Sequence, residues 1–272
     1  MARVTRFAPS PTGPLHLGHA YAALVAADRG DRFVLRLEDI DGLRSKPEWE
    51  QAIVDDLTWL GLRWEEPAMR QSTRLPAYQD ALENLSTQGL TYHCTCTRGD
   101  IRNALSAPQE GATIIGPDGP IYPGTCRDRN RTEGAIRLNI SAAMDRLGEV
   151  SFQETGKRPG LWNFDAARMV HDIGDIVLAR RDIGTSYHLA VVVDDAAQGI
   201  TEVTRGEDLF DATPIHVVLQ RLLHLPTPVY HHHRLLRDDQ GKRLAKRDDA
   251  RALSKYRAEG ATPADIRRMV GL

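Results

Sequence analysis

Apolar and polar positions along the chain fall into blocks of different period. Residues 4–8 form a short apolar-rich run, followed by a proline- and glycine-rich turn and an Ala-rich stretch, 15–28, whose spacing predicts a helix stopped near Gly30. Residues 33–37 are the next strand, and it ends in Glu38-Asp39-Ile40-Asp41. Pro47 opens a helix in which Trp49, Ile53, Leu57 and Leu60 recur at core spacing before Gly61. Residues 75–88 repeat that pattern with Tyr78, Leu82 and Leu85, and Gly89 closes it. Strands alternating with helices predict an α/β fold with a parallel sheet, and such sheets gather ligands at the C-terminal ends of their strands.

The texture changes over residues 106–134, which are crowded with glycine and proline and predict a loop-rich insert. Cys94 and Cys96 precede this segment and Cys126 lies within it. A metal could cross-link a segment that lacks a core of its own, with His93, Tyr92, Tyr122 or water as fourth ligand. Three reduced, partly buried cysteines fit the same spacing, so both readings stay open. Alternation then resumes, with residues 189–193 as a fully buried piece between Tyr187 and Arg205.

Composition narrows the class. A chain of 272 residues with 41% hydrophobic content can bury one large core or a core plus a satellite. Its net charge of −2 argues against a uniformly basic coat, yet residues 234–272 hold eleven Lys/Arg against six Asp/Glu. That distribution suits local contact with phosphate. No apolar leader or membrane-length run is present, and three cysteines make no disulfide framework, so the expectation is a cytoplasmic monomer without a membrane partner.

The richest chemistry sits at Arg6-Phe7-Ala8-Pro9-Ser10, continuing through a Pro/Gly turn to His16-Leu17-Gly18-His19. A strand that turns into a helix there offers free backbone N–H groups and a positive helix end to ATP phosphates. His16 and His19 lie three apart and can share one face, while Gly18 lets a nucleotide approach the backbone. The pattern His-X-Gly-His also recurs by chance, and a lone pair of histidines at a helix start is more often capping or packing than catalysis. Arg205 could clamp a carboxylate with its planar fork, and alone it also suits a surface ion pair. The basic loop 241–247, with Lys246, could reach a triphosphate or simply be solvated. His231, His232 and His233 alternate sides in an extended segment and cannot converge on one metal.

Together, the histidine corner and the lysine loop resemble the two signature motifs of class I aminoacyl-tRNA synthetases. Residues 6–13, 35–41, 192–195 and 200–208 resemble, in order, the glutamyl-tRNA synthetase catalytic domain. Only 25 residues follow Arg247, so no anticodon-binding region is expected. That layout, with Tyr92-His93-Cys94-Thr95-Cys96 and the Tyr122, Cys126 pair, is similar to the glutamyl-queuosine tRNA(Asp) synthetase family.

The resemblance implies a Rossmann-like parallel-sheet catalytic domain in two halves, 1–90 and 161–225. Between them it implies an inserted zinc-binding subdomain, 91–160, and after them a lysine loop with a short helical C-terminal region, 226–272. The implied activity is ATP-dependent activation of L-glutamate, with Mg2+ accompanying ATP, and transfer to the queuosine base of tRNA(Asp). It carries one structural Zn2+ onto Cys94, Cys96, Tyr122 and Cys126. Glutamate binding falls on Arg6, Phe7, Ala8, Pro9, Ser10, Glu38, Tyr187 and Arg205, with Arg205 on a carboxylate and Glu38 on the ammonium. ATP binding falls on His16, Gly18, His19 and Lys246, of which His16, His19 and Lys246 are the catalytic set. Two features depart from the family: Ala245 replaces the usual serine, and the segment between Cys96 and Tyr122 is longer than usual. The alternatives are a minimal glutamyl-tRNA synthetase charging the tRNA 3′ end and a non-catalytic glutamate- or RNA-binding relative.

Overall fold

Three parallel strands open the chain in the computed structural model, which describes residues 2–105, 115–237 and 251–272. β1 (Val4–Phe7), β2 (Arg32–Leu37) and β3 (Glu65–Arg70) pair in that order, connected by α1 (Leu17–Arg29) and α2 (Pro47–Trp59). Small residues Ala20, Ala23 and Ala26 are buried on α1, so the helix lies close to the sheet, and the Thr5 hydroxyl donates to the Ala26 carbonyl at 2.6 Å. Ile53 and Leu57 are fully buried on α2, and Gly61 supplies the positive φ of +80° that ends the turn beyond it. β3 carries no apolar alternation and none of its residues is buried, which is why periodicity does not find this edge strand.

After α3 (Leu75–Thr87) come β4 (Thr91–Cys94), α4 (Arg98–Leu105), the hairpin strands β5 (Ile115–Gly116) and β6 (Gly119–Pro120), and β7 (Ala135–Leu138). The chain continues through α5 (Ile140–Leu147), β8 (Val150–Glu154), β9 (Gly160–Phe164) and the short α6 (Ala166–Arg168) to β10 (Val177–Ala179). Next are α7 (Tyr187–Ala197), β11 (Glu202–Gly206), α8 (Thr213–Leu222), β12 (Val229–His233), α9 (Leu253–Ala258) and α10 (Pro263–Val270).

β4 and β10 flank β7 in an antiparallel sheet, whereas β11, β12 and β8 run parallel with β9 antiparallel at the edge. The first and second parallel sheets meet where the Thr201 backbone N–H donates to the Val4 carbonyl at 3.0 Å. β1 and β11 therefore run side by side, and their C-terminal ends form the crevice of an α/β sheet.

Residues 189–193 belong to helix α7, and Val193 is half-buried, so the fully buried piece expected there is corrected in part. Its β-branched run is helical because Ser186 caps it, accepting from the Leu189 N–H, and because apolar neighbours cover most of its surface. The fully buried Asp175 ties the loop-rich insert to the body, accepting from the Tyr92 hydroxyl at 2.5 Å, Arg127 Nη2 at 2.8 Å and the Ile140 N–H at 2.9 Å. Beyond residue 250, Ala252 forms a β-bridge with His16 and the Leu253 N–H donates to the Leu15 carbonyl at 2.8 Å. Among the described residues no helix is long and apolar enough to cross a membrane.

Gly156 follows β8, and a Cβ there would meet the His232 carbonyl oxygen at 2.2 Å. The neighbour is strand backbone, so Gly156→Ala must spread β8 from β12. The expected cost is about 1–3 kcal/mol, read as a lower denaturant midpoint at unchanged slope.

Candidate active site

A buried charge network occupies the C-terminal ends of β1 and β2. Arg6 on β1 and Arg36 on β2 are both buried and both reach Asp195, which α7 supplies. The Asp195 carboxylate accepts from Arg6 Nε at 3.0 Å and from Arg36 Nη1 at 2.7 Å. Burial works against that carboxylate, yet the two guanidinium groups outweigh it and hold its pKa below the ordinary 3.8. Glu38, one step beyond β2, lies 3.4 Å from Arg36 Nη2, and burial raises its pKa above the ordinary 4.5. The Glu38 N–H donates to the Pro9 carbonyl at 3.0 Å, which joins the corner after β1 to the end of β2. Phe7 and Pro9 are buried in this joint and Ala8 is half-buried.

Arg205, at the end of β11, is buried and has no carboxylate partner among the described residues. Its Nε donates to His232 Nε2 at 3.1 Å, its Nη1 to His216 Nδ1 at 3.0 Å and its Nη2 to the Thr213 hydroxyl at 2.7 Å. Arginine only donates, so each facing histidine nitrogen must be a lone pair. The remaining tautomers follow. His232 Nδ1–H faces Glu154 Oε2 at 2.5 Å, and His216 Nε2–H faces His188 Nδ1 at 3.1 Å. Burial first, and then the Arg205 charge, keep the pKa of His216 well below 6.5, so it stays neutral. Sequence reasoning missed His216, His232 and Glu154. Nothing in their local pattern separates a buried relay from ordinary packing.

A cavity of about 160 Å³ opens beside this network, bordered by Ser10, Glu38, Gln71, Thr185, Ser186 and Tyr187 among others. Tyr187 is the first residue of α7, and its ring lies 5.5 and 5.7 Å from the His188 and His216 rings. The cavity thus holds Ser10, Glu38 and Tyr187 of the expected glutamate set. Arg6 and Arg205 stand behind its wall.

His16 caps α1 and sits just outside it, because the helix begins at Leu17. Its Nδ1 accepts from the Gly18 N–H at 3.1 Å, while His19 Nδ1 accepts from the His16 N–H at 3.2 Å, and the rings stack at 3.8 Å. In neutral rings both protons therefore reside on Nε2. Lys246, Ala245 and the rest of the loop lie outside the described residues.

Cys94, Cys96 and Cys126 bring three sulfurs within 4.8 Å of one another. Tetrahedral zinc, with Zn–S near 2.3 Å, sets sulfurs about 3.8 Å apart. The Tyr122 hydroxyl lies 3.3 and 3.4 Å from the Cys94 and Cys96 sulfurs and accepts from the Cys126 N–H at 2.9 Å. Burial raises the Cys126 thiol, but hydrogen bonds from Tyr122 and its other neighbours outweigh it and bring it to about 6. The donor set is compatible with zinc.

The family model for class I tRNA synthetases (E and Q), catalytic domain, matches residues 3–272. A Rhodobacter capsulatus protein named glutamyl-Q tRNA(Asp) synthetase is 62% identical over 99% of this chain and 100% of its own length. The chain belongs to this class I synthetase family, in its glutamyl-Q tRNA(Asp) branch. A Nocardia farcinica protein of the same name is 41% identical over 96% of this chain and 81% of its own. Among solved structures, glutamate-tRNA synthetase from Elizabethkingia anophelis superposes with a TM-score of 0.78 at 26% identity over 100% of this chain. This branch member spans 61% of that synthetase's length.

Asp195→Asn should leave two buried guanidinium groups around a neutral amide. The expected loss is about 3–5 kcal/mol at neutral pH, measured by urea denaturation. Because the folded pKa lies below 3.8, the aspartate's contribution is present above that value and disappears only as pH falls through the lower one.

Proposed function

We propose that the chain is a ligase that activates L-glutamate with ATP and transfers the glutamyl group to the queuosine base in the anticodon loop of tRNA(Asp). The observation that carries this reading is the 62% identity to the Rhodobacter capsulatus glutamyl-Q tRNA(Asp) synthetase over its whole length. The buried Arg205, held only by neutral acceptors, supports a carboxylate substrate, since a charge in that position seeks an anion.

Activation is an in-line displacement. An α-carboxylate oxygen of glutamate attacks the α-phosphorus of ATP, a P–O bond forms, and the bond to pyrophosphate breaks, leaving glutamyl-adenylate. We assign Arg205 to a substrate carboxylate and Glu38 to the ammonium, with Ser10 and Tyr187 lining the amino-acid site and Arg6 through Pro9 forming the corner behind it. We assign His16 and His19 to phosphoryl oxygens beside the positive end of α1, and Lys246 adds a cation. None forms a covalent bond. The leaving pyrophosphate is expected to carry Mg2+, which offsets its charge. We assign Cys94, Cys96, Tyr122 and Cys126 to one structural Zn2+ that cross-links the insert. The reducing cytoplasm suits its thiols and supplies its tRNA substrate.

Glutamate-dependent ATP–pyrophosphate exchange is expected without tRNA, and labelled glutamate should pass to queuosine-containing tRNA(Asp) and not to the unmodified form. Charging of a tRNA 3′ end would favour a minimal glutamyl-tRNA synthetase, and absence of exchange would favour a binding relative. Lys246→Ala should lose about 2–4 kcal/mol of transition-state stabilisation, a fall of roughly 30- to 900-fold in exchange rate. Since burial raises the Glu38 pKa above 4.5, its anionic form is lost at higher pH than in an ordinary glutamate. The glutamate KM should therefore climb as pH falls through that raised value, and Glu38→Gln should erase the dependence. Metal analysis of purified protein should find one zinc per chain, with Cys126→Ser reducing it.

A further inference from the structure

Among the described residues, two buried oxygens at the cavity between Glu38 and Tyr187 have no hydrogen-bond partner: Gln71 Oε1 and Thr185 Oγ1. Both residues are almost wholly enclosed, at 0% and 1% exposure, and both border the cavity. The glutamine's orientation is fixed from behind. Its Nε2 donates to Asp194 Oδ2 at 2.9 Å, and the same buried carboxylate accepts from the Tyr78 hydroxyl at 2.7 Å and Arg74 Nε at 2.6 Å. Asp194 can only accept, so the amide nitrogen must face it and the amide oxygen must face away.

A buried polar atom without a partner costs about 1–3 kcal/mol and calls for a ligand or water that satisfies it. The cavity's own charges show which ligand. Arg44 is already paired with Asp41 at 2.7 Å and Arg180 with Asp182 at 2.7 Å. Among the described residues Glu38 is ion-paired only with Arg36, at 3.4 Å, and must share it with Asp195. Of the lining charges that leaves the Glu38 carboxylate, and the two unpartnered oxygens add an amide oxygen that only accepts and a hydroxyl that can turn a lone pair inward. Three acceptors around one small cavity complement a group with three donors and no acceptor.

We infer that Gln71 and Thr185, together with Glu38, bind the α-ammonium of the amino-acid substrate and set the preference for an amino acid over the corresponding plain dicarboxylate. The assignment rests on glutamate being the substrate. It adds two residues that the sequence motifs do not mark and gives a function to the Asp194 network, which otherwise lies behind the site.

The test compares glutamate with glutarate, which keeps both carboxylates and lacks the amine. Glutamate-dependent pyrophosphate exchange gives the glutamate and ATP KM values, and inhibition of exchange gives the glutarate constant. Gln71→Met keeps the length of the side chain and removes the acceptor, while Thr185→Val keeps the shape and leaves Asp194 untouched. Each should raise the glutamate KM by about five- to a hundredfold, the equivalent of one lost buried hydrogen bond. The glutarate constant and the ATP KM should stay unchanged, so that the preference for glutamate collapses. Equal weakening of glutamate and glutarate would assign both residues a structural role and overturn the inference, as would unchanged KM values. If Gln71→Met does not fold, Thr185→Val decides alone. A wild-type chain inactive with glutamate would instead overturn the activity reading and this inference with it. Normal wild-type exchange with unaltered preference in the variants would overturn this inference alone.

Discussion

Asp195 is shared between Arg6 and Arg36, and the geometry of the site hangs on that sharing. One carboxylate from α7 fixes a guanidinium on β1 and another on β2, so the helix that carries Tyr187 at its start is registered against two strand ends at once. Desolvating these charges is costly, and only the close pairing offsets it. The arrangement trades stability for position. Arg6 lies behind the cavity as a brace and uses its donors on Asp195 and the Thr204 carbonyl.

Arg205 is handled in the opposite way. Neutral histidines and a threonine satisfy its donors without cancelling its charge, and Glu154 stands one ring further away. Two buried arginines a few residues from the same crevice thus differ in what they can offer. One is neutralised for scaffolding, while the other keeps an unspent charge. The difference comes from the acceptor each meets, since the side chains are identical.

Much of the fold was legible because its early elements obey their periods. α1, α2 and α3 begin and end near the residues that proline, glycine and core spacing indicate. β3 was not legible, since an edge strand with charged and half-buried residues leaves no alternation to detect. Residues 189–193 predicted burial correctly in large part, but a β-branched run says nothing of period when neighbours cover most sides. At the site, strand-end acids and the histidine corner announced themselves through short motifs. Asp194, His216, His232 and Glu154 did not, because what they do depends on which distant side chain each meets, and that is set only by packing. Tyr122 and the three cysteines were legible as a group through resemblance, while their mutual distances needed the folded insert.

The β-bridge between Ala252 and His16 gives the C-terminal tail a kinetic meaning. It lies only six positions after Lys246 and ties the chain back to the histidine corner. On the proposed reading, Lys246 is tethered within six residues of the histidine corner, which holds it there at a high effective concentration. The helices α9 and α10 are packed by Leu253, Ile266 and Val270 into the same core as α1 and so anchor the chain beyond Ala252. A few buried methyl groups thereby fix the length of the tether on which that proposed role depends.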